Sequence, residues 1–137
     1  MKIDLRKPDL RKTLLGTVVI TTTGHEFELI ALKNGKESWR DLTSGLIWHD
    51  IEDDKITHYE AMEKFPQTAD KRLPTIEEFE GAEKHGFREV LPNINYWFWS
   101  ASLGPNGTDG ARGFDGGNGD SDFVYRDNKG AVRCVGR

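Results

Sequence analysis

The run Arg72-Leu73-Pro74-Thr75-Ile76-Glu77-Glu78-Phe79 marks the start of a helix, and the architecture is built outward from it. Thr75 and Glu78 have the spacing of a capping box, in which the hydroxyl accepts a backbone N–H and the carboxylate reaches back to the cap. Glu77, Glu78 and Glu80 lie near the positive end of the helix, where carboxylates are favoured. Ile76 and Phe79 share an inward face. Lys84 and His85 occupy the last turn, and Gly86 supplies the stop. The same signature occurs upstream: Thr57 and Glu60 cap a helix whose Ala61, Met62 and Phe65 fall on one face, and Pro66 ends it.

The flanking segments read as strands. Thr17–Thr23 is a β-branched run, and residues 25–32 begin with alternation, Phe27 and Leu29 against Glu26 and Glu28. Thr23-Gly24 between them predicts a hairpin, and Asn34-Gly35 marks a further turn. Residues 39–48 read as strand, turn and strand about Ser44-Gly45, with Leu46 and Trp48 on one face. Asp50 to Lys55 reads as a charged loop. Tyr96–Ser102 is an aromatic-rich strand. Residues 103–120 predict a long loop or loosely paired strands. Residues 121–126 and 131–135 predict two final strands joined by a turn at 127–130. The fold class expected is α+β, with two capped helices followed by a loop-rich, strand-and-loop C-terminal third. Residues 1–13 read as a polar leader and the runs of 17–32 as a β-hairpin.

The chain has 137 residues, suited to one domain with one modest core. Its net charge of −4 argues against nucleic acid as a partner. The basic residues of the first twelve positions are interrupted by Asp4 and Asp9 and read as a solvated leader. No run approaches the roughly 18 apolar residues that span a bilayer, so membrane insertion is not expected. No signal peptide is legible, which places the chain in the cytoplasm by default. Cys134 is the one cysteine, which precludes an internal disulfide.

Five motifs together resemble a known family. They are Thr43-Ser44-Gly45-Leu46-Ile47-Trp48, Thr57 with Glu60-Ala61, Arg72-Leu73-Pro74-Thr75 with Glu77 and Glu78, Tyr96-Trp97 with Ser100 and Ser102, and Val132-Arg133-Cys134-Val135. In this order they resemble the C-terminal domain of the Legionella collagen-like adhesin and its bacterial relatives, a domain of unknown function. The resemblance spans residues 39–137 and implies a C-type-lectin-like fold of the formylglycine-generating-enzyme type, two helices packed on small antiparallel sheets with chain ends close together and one loop-rich surface. The resemblance makes residues 1–38 a leader and β-hairpin added to that core. It also implies an adhesin-like binding role, an extracellular or surface location as an alternative to the cytoplasm, and a homotrimer as one arrangement, since similar domains sit at fibre ends. The chain departs from the family on the first helix, where many members carry a cysteine and His58–Phe65 has none.

Catalysis is not expected. An oxidase like the formylglycine-generating enzyme needs a pair of cysteines to hold copper, and Cys134 stands alone as a small apolar strand residue. His25, His49, His58 and His85 show no zinc spacing and read as surface or capping residues. Glu77 and Glu78 are explained by capping. No cofactor is expected, with calcium the one metal left open. Asp109, Asp115, Asp120, Asp122 and Asp127 are acids in one segment, but their order matches no calcium loop and they read mainly as turn formers.

Recognition is expected from the loops of 103–128, since long polar segments in small domains are commonly functional. The candidate ligand-binding residues are Trp99, Asn106, Asp109, Arg112, Asp115, Asn118, Asp120, Asp122, Tyr125 and Arg126. Tyr96, Trp97 and Trp48 read as core. The partner expected is a polysaccharide or a protein surface. The alternative on the same fold is a variable-protein scaffold diversified by reverse-transcription cassettes, and an enzyme is a distant third.

Overall fold

A computed structural model describes residues 1–6, 14–105 and 109–137. Within them the chain forms β1 (Lys2–Asp4), β2 (Val18–Ile20), β3 (Glu26–Lys33), β4 (Lys36–Asp41), β5 (Ile47–Ile51) and β6 (Ile56–Thr57). Next come α1 (His58–Lys64), α2 (Ile76–Lys84) and a 3₁₀ turn (Phe87–Glu89). Then follow β7 (Trp97–Leu103), β8 (Gly110–Asp115), β9 (Ser121–Tyr125), β10 (Lys129–Gly130) and β11 (Arg133–Gly136). The architecture is α+β, mostly sheet with two helices.

A six-stranded sheet runs in the order β1-β2-β3-β4-β5-β11; β7-β8-β9 form a second sheet, and β6 pairs with β10. Local chemistry sets the large sheet's hairpins. Asn34 and Gly35 both have positive φ, 52° and 75°, the pair of left-handed residues that a tight hairpin turn needs. At the next turn the Asp41 carboxylate accepts from Thr43 N at 2.9 Å. Alternation then buries Phe27, Leu29, Trp39 and Trp48 on one face, with Trp39 directly opposite Trp48.

Both helices begin as their capping boxes predict. Thr57 and Glu60 exchange side-chain and backbone hydrogen bonds, as do Thr75 and Glu78. The inward face of α2 brings Ile76, Phe79 and Ala82 onto the large sheet's apolar face. Phe79 stacks on Phe114 at 4.9 Å, and Trp48 meets Phe87 at 5.0 Å. Each such fully buried ring stabilises the fold by about 1.5–3 kcal/mol. α1 serves a second cluster, in which Ala61 and Phe65 pack with Leu73, Trp99, Ala111, Val132 and Cys134.

Two expectations need correction and two gain detail. Residues 1–38 are not an appendage. Ile3 is buried, β1 pairs in parallel with β2, and the expected boundary between 38 and 39 falls inside β4, which pairs with both β3 and β5. Residues 7–13 of the expected leader lie outside the described residues. Of the two readings of 103–120 the paired-strand one holds, since the segment contains an ordered strand, β8, at the centre of its sheet. Its inward positions carry little apolar signal because several are Gly or Ala, and neighbouring rings fill the space. A Cβ on Gly110 would lie 2.1 Å from the Phe123 ring. The last two expected strands are present and lie in different sheets. β9 pairs with β8 and β11 with β5, and the turn between them leads into β10. Finally, Asp50 is a buried residue of β5 rather than part of a charged loop.

Candidate functional site

Strand register assembles the site. Trp97 pairs with Asp115, Trp99 with Gly113, Gly113 with Asp122 and Ala111 with Val124. Paired residues share a face, so these side chains converge on one side of the β7-β8-β9 sheet. At one end that face is covered: Trp99 is 0% exposed, and its indole N–H donates to Ile56 O at 3.0 Å. Beyond Trp99 the face opens into a groove of about 350 Å³ lined by Trp97, Gly113, Asp115, Asp122, Val124 and Asn128. A hollow of about 310 Å³ shares Trp97 and Asp115 and adds Lys55, Asn95 and Tyr96.

Two glycines shape the Trp97 wall. A Cβ on Gly113 would lie 3.2 Å from Trp97 Cε3, so glycine keeps the floor clear beside the indole. A Cβ on Gly130 would lie 2.5 Å from Trp97 Cη2 and 2.9 Å from Trp99 Nε1, so both rings seat against bare backbone. Trp97 meets Trp99 edge-on at 4.8 Å. The indole is thereby fixed, partly buried, with its remaining surface in the groove.

The groove's acids are oriented by main chain. Asp115 Oδ1 accepts from Gly117 N at 2.7 Å and Asp122 Oδ1 from Phe123 N at 2.8 Å. The second oxygen of each has no hydrogen bond among the described residues. An aromatic wall, a glycine floor, two carboxylates and the Asn128 amide can bury an apolar ring face while accepting hydrogen bonds from its substituents.

The expected site residues divide accordingly. Asp115 and Asp122 are brought together at the groove. Trp99 is core, a correction: it shares Trp97's face but lies one step further under α1. Arg112 and Tyr125 alternate to the opposite face. Arg112 donates to Ser121 Oγ at 2.7 Å and lines a separate hollow with Glu77 and Glu80. Asn118 and Asp120 are exposed turn residues, Asp120 N donating to Asn118 Oδ1 at 2.9 Å. Asp109 accepts from the Tyr59 hydroxyl. Arg126 turns inward, its Nε donating to His58 Nδ1 at 2.8 Å. Asn106 lies outside the described residues. Trp97 and Tyr96, expected in the core, line the hollows, and Tyr96 is exposed. A strand with Trp at both 97 and 99 announces one aromatic face, but not which ring α1 covers.

His58 is a further correction. Expected as a surface or capping residue, it is 0% exposed. Its Nε2 lies 2.9 Å from Ser100 O, and its Nδ1 accepts from Arg126, so the neutral ring carries its proton on Nε2. Burial holds its pKa below the usual histidine range, Arg126 adds to that effect, and the Ser100 carbonyl opposes it. Burial likewise pushes the Cys134 thiol up to about 12, so at neutral pH it is a protonated core residue with little nucleophilic character. Among the described residues, no three His, Cys, Asp or Glu side chains group as a metal site. No helix among them is long and apolar enough to cross a membrane.

No protein-family model and no curated protein matches the chain.

Proposed function

We propose that the protein is a non-catalytic recognition module that binds a glycan in the Trp97 groove. The observation that carries this reading is the juxtaposition of a half-buried indole with a glycine floor and two backbone-oriented carboxylates. The apolar face of a pyranose ring stacks on Trp97, and its hydroxyls donate to Asp115, Asp122 and the Asn128 carbonyl oxygen. The acids disfavour sulfated or otherwise anionic polysaccharides, which makes neutral or amine-bearing glycans the expected class. The proposed fold is C-type-lectin-like. Two capped helices packed on sheets support it, as do β4 and β11 flanking the same strand, which brings the ends of residues 39–137 near each other.

A glycan array that includes sulfated polysaccharides, run with and without chelator, tests the proposal. Neutral or amine-bearing hits that persist with chelator are expected. Asp122→Asn removes the carboxylate charge at an exposed position. It is expected to weaken binding about tenfold, equivalent to roughly 1.4 kcal/mol, and to move the thermal midpoint by no more than about 2 °C. Tyr125→Ala, on the opposite face, is expected to leave affinity unchanged. Unaltered binding in a Trp97→Ala variant, or binding lost through Tyr125→Ala instead, removes the groove from consideration.

A further inference from the structure

His58 stands directly behind the groove without lining it. It opens α1 and is fully buried, its ring edge-on to Trp99 at 5.1 Å. Trp99 in turn meets Trp97 at 4.8 Å. A second route runs through Arg126, which holds His58 Nδ1 and lies 4.1 Å over the Tyr59 ring. Arg126 directly precedes the turn that carries Asn128 in the groove and Gly130 beneath both indoles. One titratable side chain thus touches both Trp99, which backs the Trp97 wall, and Arg126, which precedes the turn framing the groove.

We infer that protonation of His58 disrupts the groove, so that ligand is held near neutral pH and released on acidification. This rests on the glycan-binding reading for the ligand, though not for the conformational change. In the neutral ring Nδ1 is an acceptor facing the Arg126 N–H. A proton there replaces acceptor with donor and sets a buried imidazolium against a half-buried guanidinium, where screening is weaker than in bulk water.

The other charged neighbours do not supply a ready counter-ion. Asp109 takes the Tyr59 hydroxyl, and Glu60 takes Thr57 N at 3.0 Å. Asp127 lies in the turn beyond Arg126, and Lys129 on β10 adds another positive charge. The β7 groups against the ring, Ser100 and Trp99, are uncharged. Protonation therefore displaces either His58 or Arg126, moving Trp99 and the 127–130 turn with them. The neutral form belongs to the intact site, so the change develops as pH falls below the ordinary histidine value of about 6.5, and not above it.

Acrylamide quenching of tryptophan fluorescence in the full chain reads the groove without a ligand. Trp39, Trp48 and Trp99 are each 0% exposed, so quenching reports chiefly on Trp97. Between pH 7.5 and 5.0 the quenching constant is expected to rise about twofold while far-ultraviolet circular dichroism stays constant. His58→Gln keeps an acceptor for Arg126 and a donor for Ser100 but cannot titrate, and it is expected to give a flat profile. A flat wild-type profile, or a transition that survives in His58→Gln, overturns the inference. If His58→Gln does not fold, Arg126→Met decides: without the opposing cation the pH-dependent rise in quenching must shrink or vanish, and a transition of undiminished size overturns the proposal.

The glycan array separates the two readings. At pH 7.5 it tests binding alone, and a quenching transition without any glycan hit leaves the device standing while removing the glycan. Hits found at pH 7.5 are expected to weaken at least tenfold at pH 5.0, and equal binding at both values overturns pH control.

Discussion

Arg133→Ala is expected to destabilise the protein by about 3–5 kcal/mol, the cost of breaking a buried charged arrangement from one side. Urea unfolding measures it as a lower midpoint at unchanged slope. Arg133 is 0% exposed on β11. Its Nη1 donates to His49 O at 3.0 Å, and its Nη2 donates to Pro92 O and, at 3.4 Å, to Asn93 O. The guanidinium lies 5.4 Å over the Phe98 ring, and Asp50 is 3.8 Å away. Burial lowers its pKa to about 10 against the opposing pull of Asp50 and Glu37, so it remains charged at neutral pH.

Asp50 is itself held by Glu37 N, Ile51 N and the Asn93 amide at 2.7–3.0 Å. Truncation at 133 therefore leaves a buried carboxylate without its cation, together with carbonyls that lose their donor and a cavity of arginine size. Arg133→Lys keeps the charge but cannot fork between β5 and the 92–93 loop, and it is expected to recover only part of the loss. By contrast, the partly exposed Arg88–Glu83 pair is worth no more than about 1 kcal/mol by the usual measure of surface pairs. The consequence reaches the groove, because Pro92 and Asn93 lead directly into Asn95-Tyr96-Trp97. A measurable drop in glycan affinity at temperatures where Arg133→Ala is still folded is expected for that reason.

Neither Arg133 nor His58 could be assigned to the interior from its own neighbours in the chain. Charged and titratable residues are usually exposed, and their burial here depends on partners more than forty residues away in sequence. What was legible was local. Each capping box needs only four consecutive residues, and Asn34-Gly35 and Ser44-Gly45 carry their own turn chemistry. The alternation of Phe27 and Leu29 correctly marks the inward face of β3. Non-local pairing was not legible. The turn at 127–130 looks the same whether the strands around it pair with each other or, as here, join different sheets. Within the site, Asp115 and Asp122 stood out as polar residues in a polar segment. Their partner Trp97 was hidden by resembling its buried neighbour Trp99. Which indole faces outward depends on how far α1 and β10 extend over the sheet, a tertiary property absent from the strand's own pattern.

The adjacent glycines 116 and 117 provide the sharper test of how the groove is built, because sequence alone treats them as equivalent turn residues. A Cβ on Gly116 would lie 1.8 Å from Ile94 O and 3.0 Å from Ile94 C, and both atoms are backbone. A Cβ on Gly117 would meet only Asp115 Oδ1, at 3.1 Å, the far end of a movable side chain. Neither position has the positive φ that would strain a non-glycine residue, so the difference is one of space.

Gly116 N also donates to Tyr96 O at 2.8 Å, which joins the two segments where they cross, and Tyr96 N donates to Ile94 O at 2.8 Å, which tightens the 94–96 turn itself. Gly116→Ala must separate them, breaking these bonds or shifting the start of β7. The expected loss is about 2–3 kcal/mol, at the upper end for overpacking because no side chain can yield. For a chain of this size that is roughly an 8–12 °C fall in thermal midpoint. Gly117→Ala is expected to stay within about 0.5 kcal/mol of the parent. The shift also carries Tyr96 and Trp97 away from Asp115, so Gly116→Ala should lose glycan binding even where it remains folded, whereas Gly117→Ala displaces only the Asp115 carboxylate and should weaken binding less. Equal midpoints for the two variants would mean that the 94–96 and 115–117 segments do not cross in contact, and the groove's wall would then lack the backbone support assigned to it.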